Sequence, residues 1–143
     1  MWRSEAQDYD RDRKQLVGDS LFFRLRAVFP ASAARSAVIG ITDGDHYWAQ
    51  ADWRFAFGVK GPGYGVLSTA RMDPVNFGEP PNDVILERRL RKMVTRYVGE
   101  LYLGLPRNDN PRSALGPAPM GVEELDAMTE ELCPPRPGEN VSC

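Results

Sequence analysis

The chain has 143 residues, enough for one domain that buries about 68–70% of its unfolded surface without a disulfide or metal. Apolar residues make up 42% and charged residues 27%, which excludes wholesale disorder. The formal net charge of −2 offers no strong attraction to nucleic acid or an anionic membrane, and one histidine cannot build a three-histidine zinc site in a single copy.

Residues 1–8 are polar and read as a loose N-terminal segment. From Tyr9 to Val28 the pattern predicts a helix, with Leu16, Leu21, Leu25 and Val28 at helical spacing and Pro30 as its stop. Ala37 to Thr42 is a short run rich in β-branched residues and predicts a buried strand, followed by an Asp43-Gly44-Asp45 turn. Trp53, Phe55, Phe57 and Val59 alternate as in a strand. Gly61-Pro62-Gly63 is turn chemistry, and Gly65 to Met72 predicts a second strand, so the two form an antiparallel hairpin. Residues 74–81 read as a loop.

The strongest periodicity spans Asp83 to Leu103. Leu86, Leu90, Met93, Val94, Tyr97, Val98 and Leu101 form one apolar stripe, Asn82 or Asp83 caps it, and Gly104 and Pro106 end it. A proline-broken loop leads to a last helix over residues 121–132, with Glu123 and Glu124 at its positive end. Residues 134–143 form a proline-rich, extended tail. The order describes an α+β domain over residues 9–133, a small mixed sheet with a hairpin packed on a long central helix. No run approaches the roughly 18 apolar residues of a membrane span. The absence of a signal-peptide core and the presence of only Cys133 and Cys143 point to the cytoplasm, whether or not those two pair.

Several segments, taken in order, resemble the archaemetzincins, a family of small metzincin-type zinc peptidases. They are Arg13-Lys14-Gln15, Ile39 to Tyr47 with its Thr42-Asp43, Phe55-Ala56-Phe57-Gly58, Val66 to Arg71, and Glu87 to Leu105. Asn110 to Leu115, Val122 to Asp126, and Glu131 to Pro134 complete the set, so that the likeness covers Tyr9 to Pro134. The family's usual first strand, ahead of the first helix, is absent from this reading. The resemblance implies a zincin fold with a Met-turn-like loop and a C-terminal helix. It also implies that Val66, Leu67, Ser68, Thr69, Ala70 and Arg71 form the peptide-binding edge strand above the cleft.

The metal motif departs from the family. His-Glu-x-x-His-x-x-Gly-x-x-His places two histidines one helical turn apart on one zinc, with a glutamate to polarise its water. Setting Arg96 and Glu100 at the two helical histidines, one turn apart, puts Tyr97 at the glutamate. Matching Gly104-Leu105 instead gives Tyr97, Val98 and Leu101, with Arg107 at the third histidine. Neither register supplies a zinc ligand set. The four cysteines of the family's second, structural zinc correspond to Asn108, Ser113, Cys133 and Arg136, and the Met-turn methionine to Leu115. No cofactor is therefore expected.

Other features carry a functional and a plainer reading. Arg96 and Glu100, at i and i+4, either form a buried ion pair or an exposed one worth about 0.3–0.5 kcal/mol. His46 with Asp43 and Asp45 suggests a metal, but no further ligand is near in sequence and a turn is the better reading. Gly61 to Gly65 opens a strand and lacks the Lys-Ser or Lys-Thr of a phosphate loop. Arg88, Arg89, Arg91, Lys92 and Arg96 read as a solvated helix face rather than a nucleic-acid surface. The Asn140-Val141-Ser142 sequon has no secretory context. The expectation is a pseudopeptidase with vestigial positions Arg96, Tyr97, Glu100 and Arg107, binding a peptide or protein partner in the former cleft. The alternatives are a hydrolase whose Tyr97, Glu100 and His46 converge, and a structural or regulatory subunit.

Overall fold

The computed structural model describes residues 5–30, 36–54 and 56–133. Strands β1 (Tyr9–Asp10) and β2 (Gln15–Val17) precede helix α1 (Gly18–Val28). Strands β3 (Val38–Thr42), β4 (His46–Tyr47), β5 (Gly58–Gly61) and β6 (Tyr64–Ser68) follow. A 3₁₀ turn (Pro74–Phe77) leads to helix α2 (Asp83–Tyr97), which passes into a π-helical turn (Val98–Tyr102). Helix α3 (Val122–Ala127) comes last. The α+β class is as expected.

The larger sheet has the order β3-β6-β5, with β3 parallel and β5 antiparallel to β6. The β5–β6 hairpin is therefore present. The smaller sheet has the order β1-β2-β4. The larger sheet is covered on both faces. Tyr64, Val66 and Val59 pack with Leu21, Phe22 and Leu25 of α1. On the opposite face Leu67 packs with Met93 and Tyr97 of α2 and with Leu125 of α3. Each fully buried leucine of this kind contributes about 1.5–3 kcal/mol.

This layering corrects the assignment of Val66, Leu67, Ser68, Thr69, Ala70 and Arg71 to an edge strand. Val66, Leu67 and Ser68 lie in β6, the central strand, where both ladder edges are already paired. Thr69 to Arg71 have left the sheet, and Thr69 N–H donates to Thr42 O at 2.9 Å. The exposed sheet edge on the antiparallel side belongs to β5.

The long first helix is also corrected. Asp10 Oδ1 accepts from the N–H groups of Asp12 and Arg13, both at 3.0 Å, and Lys14 has φ +55°. This side-chain turn competes with helix, so α1 begins only at Gly18. Two short strands thus stand ahead of the first helix, where none was expected. Residues 5–8, read as loose, are tied down: Ala6–Asp8 is a 3₁₀ turn and Asp8 is fully buried against Arg24 and Ser20.

Other elements are shorter than their periodicity suggests. Among the described residues Trp53 pairs only with Trp48, in an isolated bridge that closes a turn with Asp52 at φ +53°, so the strand starts at Gly58 (Phe55 lies outside the described residues). Ile41 of β3 is exposed rather than buried. Helix α3 stops at Ala127 because Met128 is extended and Thr129 N–H donates to Arg112 O at 2.8 Å. Cys133 is disulfide-bonded, and the tail from residue 134 lies outside the described residues. Among the described residues no helix is long and apolar enough to cross a membrane.

Candidate functional site

A cleft of about 500 Å³ opens between β5, the C-terminal end of α2, and the loop that leads into α3. Trp48, Trp53 and Phe77 line its apolar side, and Lys60, Arg96, Tyr97 and Arg107 line its polar side. Three of the four vestigial positions therefore meet on this cleft, and the fourth, Glu100, lies behind them, joined to two of them by ion pairs.

The Arg96–Glu100 pair is the buried one. Arg96 Nε lies 3.1 Å from Glu100 Oε1, with side-chain exposures of 2% and 10%. Arg96 Nη1 also donates to the carbonyls of Ala114 and Gly116, each at 2.9 Å. The guanidinium thus bolts the end of α2 to the loop matched to the family's Met-turn. Burial pushes its pKa down to about 10, helped by the nearby Arg107 charge, so Arg96 is still a cation at neutral pH.

Gly104, in the left-handed region at φ +64°, turns the chain back after the π-helical turn. Arg107 then reaches Glu100 at 3.3 Å. Lys60 contacts the same carboxylate from β5. Burial pushes the Lys60 ammonium down to about 7, with Arg107 and Arg96 adding to the shift, whereas contact with Glu100 works in the opposite direction. Sequence reasoning missed Lys60. The available signal is strand parity: Val59 faces α1, so Lys60 must face the cleft.

Tyr97 is a packing residue. It is 2% exposed, and its ring fits because Gly58 and Gly65 lack side chains: an added Cβ would lie 2.1 Å from its hydroxyl or 2.5 Å from its ring. Burial raises its phenol well above the ordinary value, so it makes a poor base. His46 does not converge with Tyr97 and Glu100. It is fully buried, and neither ring nitrogen has a hydrogen-bond partner among the described residues. Burial lowers its pKa to about 4. Asp45 beside it is engaged by Arg71 at 2.9 and 2.8 Å and by Gln15 at 2.9 Å; these contacts hold its carboxyl below the usual range despite burial.

The basic face of α2 is not simply solvated. Arg89, Lys92 and Arg96 are all buried. Arg89 makes paired bonds to Asp126 at 2.8 and 2.7 Å and a third to Met72 O at 2.7 Å. Lys92 Nζ donates to the carbonyls of Leu125 at 3.0 Å and Asp126 at 2.8 Å, near the C-terminal end of α3. Arg91 stays on the surface, paired with Glu87 and Glu130.

These residues do not fit a zinc ion. A guanidinium has five donors and no acceptor, so neither Arg96 nor Arg107 can ligate, and Tyr97 is held protonated in the core. Among the described residues no group of three histidine, cysteine, aspartate or glutamate side chains is gathered as a metal site requires. The second family metal position is hydrogen-bonded instead. Asn108 Nδ2 donates to Ser113 Oγ at 3.1 Å, Leu115 N–H donates to the same oxygen at 3.1 Å, and Ser113 Oγ donates to Leu132 O. Arg136, the fourth matched position, lies outside the described residues.

No protein-family model matches the chain. A curated archaemetzincin from Pyrococcus furiosus is 35% identical over 81 residues, which are 55% of this chain. The match spans about two-fifths of that relative's length, 41%. Among solved structures, a zinc-dependent peptidase from Methanocorpusculum labreanum superposes with a TM-score of 0.72 at 24% identity, over 93% of this chain and 77% of the other. An archaemetzincin from Archaeoglobus fulgidus, complexed with malonate, gives 0.69 at 19% identity, over 90% and 72%. One from Methanopyrus kandleri gives 0.71 at 21% identity, over 92% and 67%.

Proposed function

We propose that this chain, archaemetzincin-like in sequence and fold, uses its cleft to bind a peptide or protein segment without hydrolysing it by zinc chemistry. The observation that carries this reading is Arg96. A buried cation, bonded to two backbone carbonyls and to Glu100, stands where one register of the family motif requires a neutral imidazole. The other register places Tyr97, Val98 and Leu101 there, and none of these is a ligand. A cleft with an apolar wall supports this reading, and β5 presents beside it a sheet edge that is unpaired among the described residues. Strand addition, first expected along residues 66–71, is assigned instead to residues 58–61.

The test is elemental mass spectrometry of the dialysed, untagged protein, together with incubation on a peptide library. This reading expects close to zero zinc per chain and no cleavage products. About one zinc per chain, with cleavage abolished in Glu100→Gln, would move the hydrolase reading to first place.

A further inference from the structure

The polar side of the cleft carries more positive charge than it balances. Lys60, Arg96 and Arg107 all contact Glu100, and no other acidic side chain is within ion-pair distance of any of them among the described residues. Two arginines and a lysine on one carboxylate leave at least one positive charge unbalanced beside a largely buried group. Arg96 adds a second sign of incompleteness: its Nη2 is buried and has no hydrogen-bond partner among the described residues. Unbalanced positive charge beside a buried group is costly, and an anion in the cleft would relieve it. Arg107 is placed to meet one, because its side chain is 52% exposed while its Nε already touches Glu100.

The rest of the cleft narrows the class of anion. Glu123 and Glu124 line it near the start of α3. Glu124 is occupied by the N–H groups of Met120 and Gly121, at 2.7 and 2.8 Å. A polyacidic ligand would meet these carboxylates, whereas a single carboxylate at the Lys60–Arg107 side would not. Lys60 is one residue from the end of β5, so a strand added along that edge would finish beside it. Trp48 and Trp53, edge to face with centroids 5.6 Å apart, offer an apolar wall for one neighbouring side chain.

We infer that the cleft binds the C-terminal carboxylate of a peptide, held by Lys60 and Arg107 with an apolar last residue against Trp48 and Trp53. This rests on the non-hydrolytic reading above and specifies its ligand.

The test is calorimetric titration of the full chain with acetyl-Ala-Ala-Phe as the free acid, the same peptide as its C-terminal amide, and acetyl-Ala-Glu-Phe amide. The free acid is expected to bind at least about tenfold more tightly than its amide, as charge-assisted contacts would require. Arg107→Gln should lower its affinity by about tenfold, and Lys60→Gln by a similar factor, with circular dichroism unchanged for the exposed Arg107 variant. Raising salt from about 50 to about 500 mM should weaken acid binding and leave amide binding alone. Equal affinity for acid and amide, or no binding of either, overturns the inference. Equal affinity for the internal-glutamate amide overturns the assignment to a chain end. Mass spectrometry of each mixture separates the two readings. Cleaved peptide defeats the non-hydrolytic reading, and the carboxylate preference is then scored on acetyl-phenylalanine against its amide, which have no internal peptide bond.

Discussion

The two layers that cover the larger sheet are built on opposite principles. The α1 layer is held by apolar contacts, with Leu21, Phe22 and Leu25 against Val59, Tyr64 and Val66. The α2 layer has an apolar cluster too, but its joints to α3 and the loop before it are made by buried Arg89, Lys92 and Arg96 on carbonyls and one carboxylate. Apolar packing tolerates small shifts at modest cost, whereas a buried cation requires every acceptor to be in place. The layer that carries the cleft is therefore the more sharply specified of the two.

The largest effect should come from Arg96. Truncation in Arg96→Ala strands the carbonyls of Ala114 and Gly116 and removes a partner from Glu100, and it should cost about 3–5 kcal/mol in urea unfolding. A double-mutant cycle with Glu100→Gln should return a coupling above about 1 kcal/mol; additive losses of a few tenths would collapse the distinction between the layers. On the other side, Leu21→Ala should cost about 2–5 kcal/mol through its cavity, with no dependence on salt. A salt-dependent loss there would show that electrostatics reach the α1 layer as well.

His46 sharpens the comparison as a buried polar side chain whose ring nitrogens have no hydrogen-bond partner among the described residues. Its pKa is lowered from 6.5 to about 4, so as pH falls the unfolded chain takes up the proton first. The His46 contribution to stability should be flat above pH 6.5 and fall by up to about 3 kcal/mol between there and pH 4. His46→Leu should flatten that window in thermal melts without lowering stability at neutral pH. The smallest effect belongs to Arg91, whose pairs with Glu87 and Glu130 are on the surface. Arg91→Ala should cost less than about 1 kcal/mol and lose even that at high salt.

The apolar contacts of α2 were readable from the sequence because periodicity reports burial. Leu86, Leu90 and Met93 of α2 and the Asn82 cap were read correctly, and the cap's Oδ1 accepts from Ile85 N–H at 3.1 Å. What periodicity cannot report is a charge that turns inward. Arg89, Lys92 and Arg96 recur at i, i+3 and i+7, a stripe as regular as the apolar one, yet polarity alone assigned them to solvent. The helix expected from Tyr9 failed for a local reason, the Asp10 side chain capturing the following N–H groups. The supposed edge strand failed for a global one, since alternation cannot reveal that both neighbours are already in place. At the cleft, Arg96, Glu100 and Arg107 could be linked because two of them share a helix turn and a glycine returns the third. Lys60 comes from a distant hairpin, and no local spacing connects it to them.

The order β3-β6-β5 leaves β3 paired on one side only, among the described residues. Its sequence, Val38-Ile39-Gly40-Ile41-Thr42, contains no charge, no proline and no bulge. Those are the devices by which sheet edges normally discourage another strand from docking. An edge of this kind favours docking of a second copy by strand pairing, and Ile41→Lys, at an exposed position of that edge, is expected to raise the concentration at which light scattering first reports association.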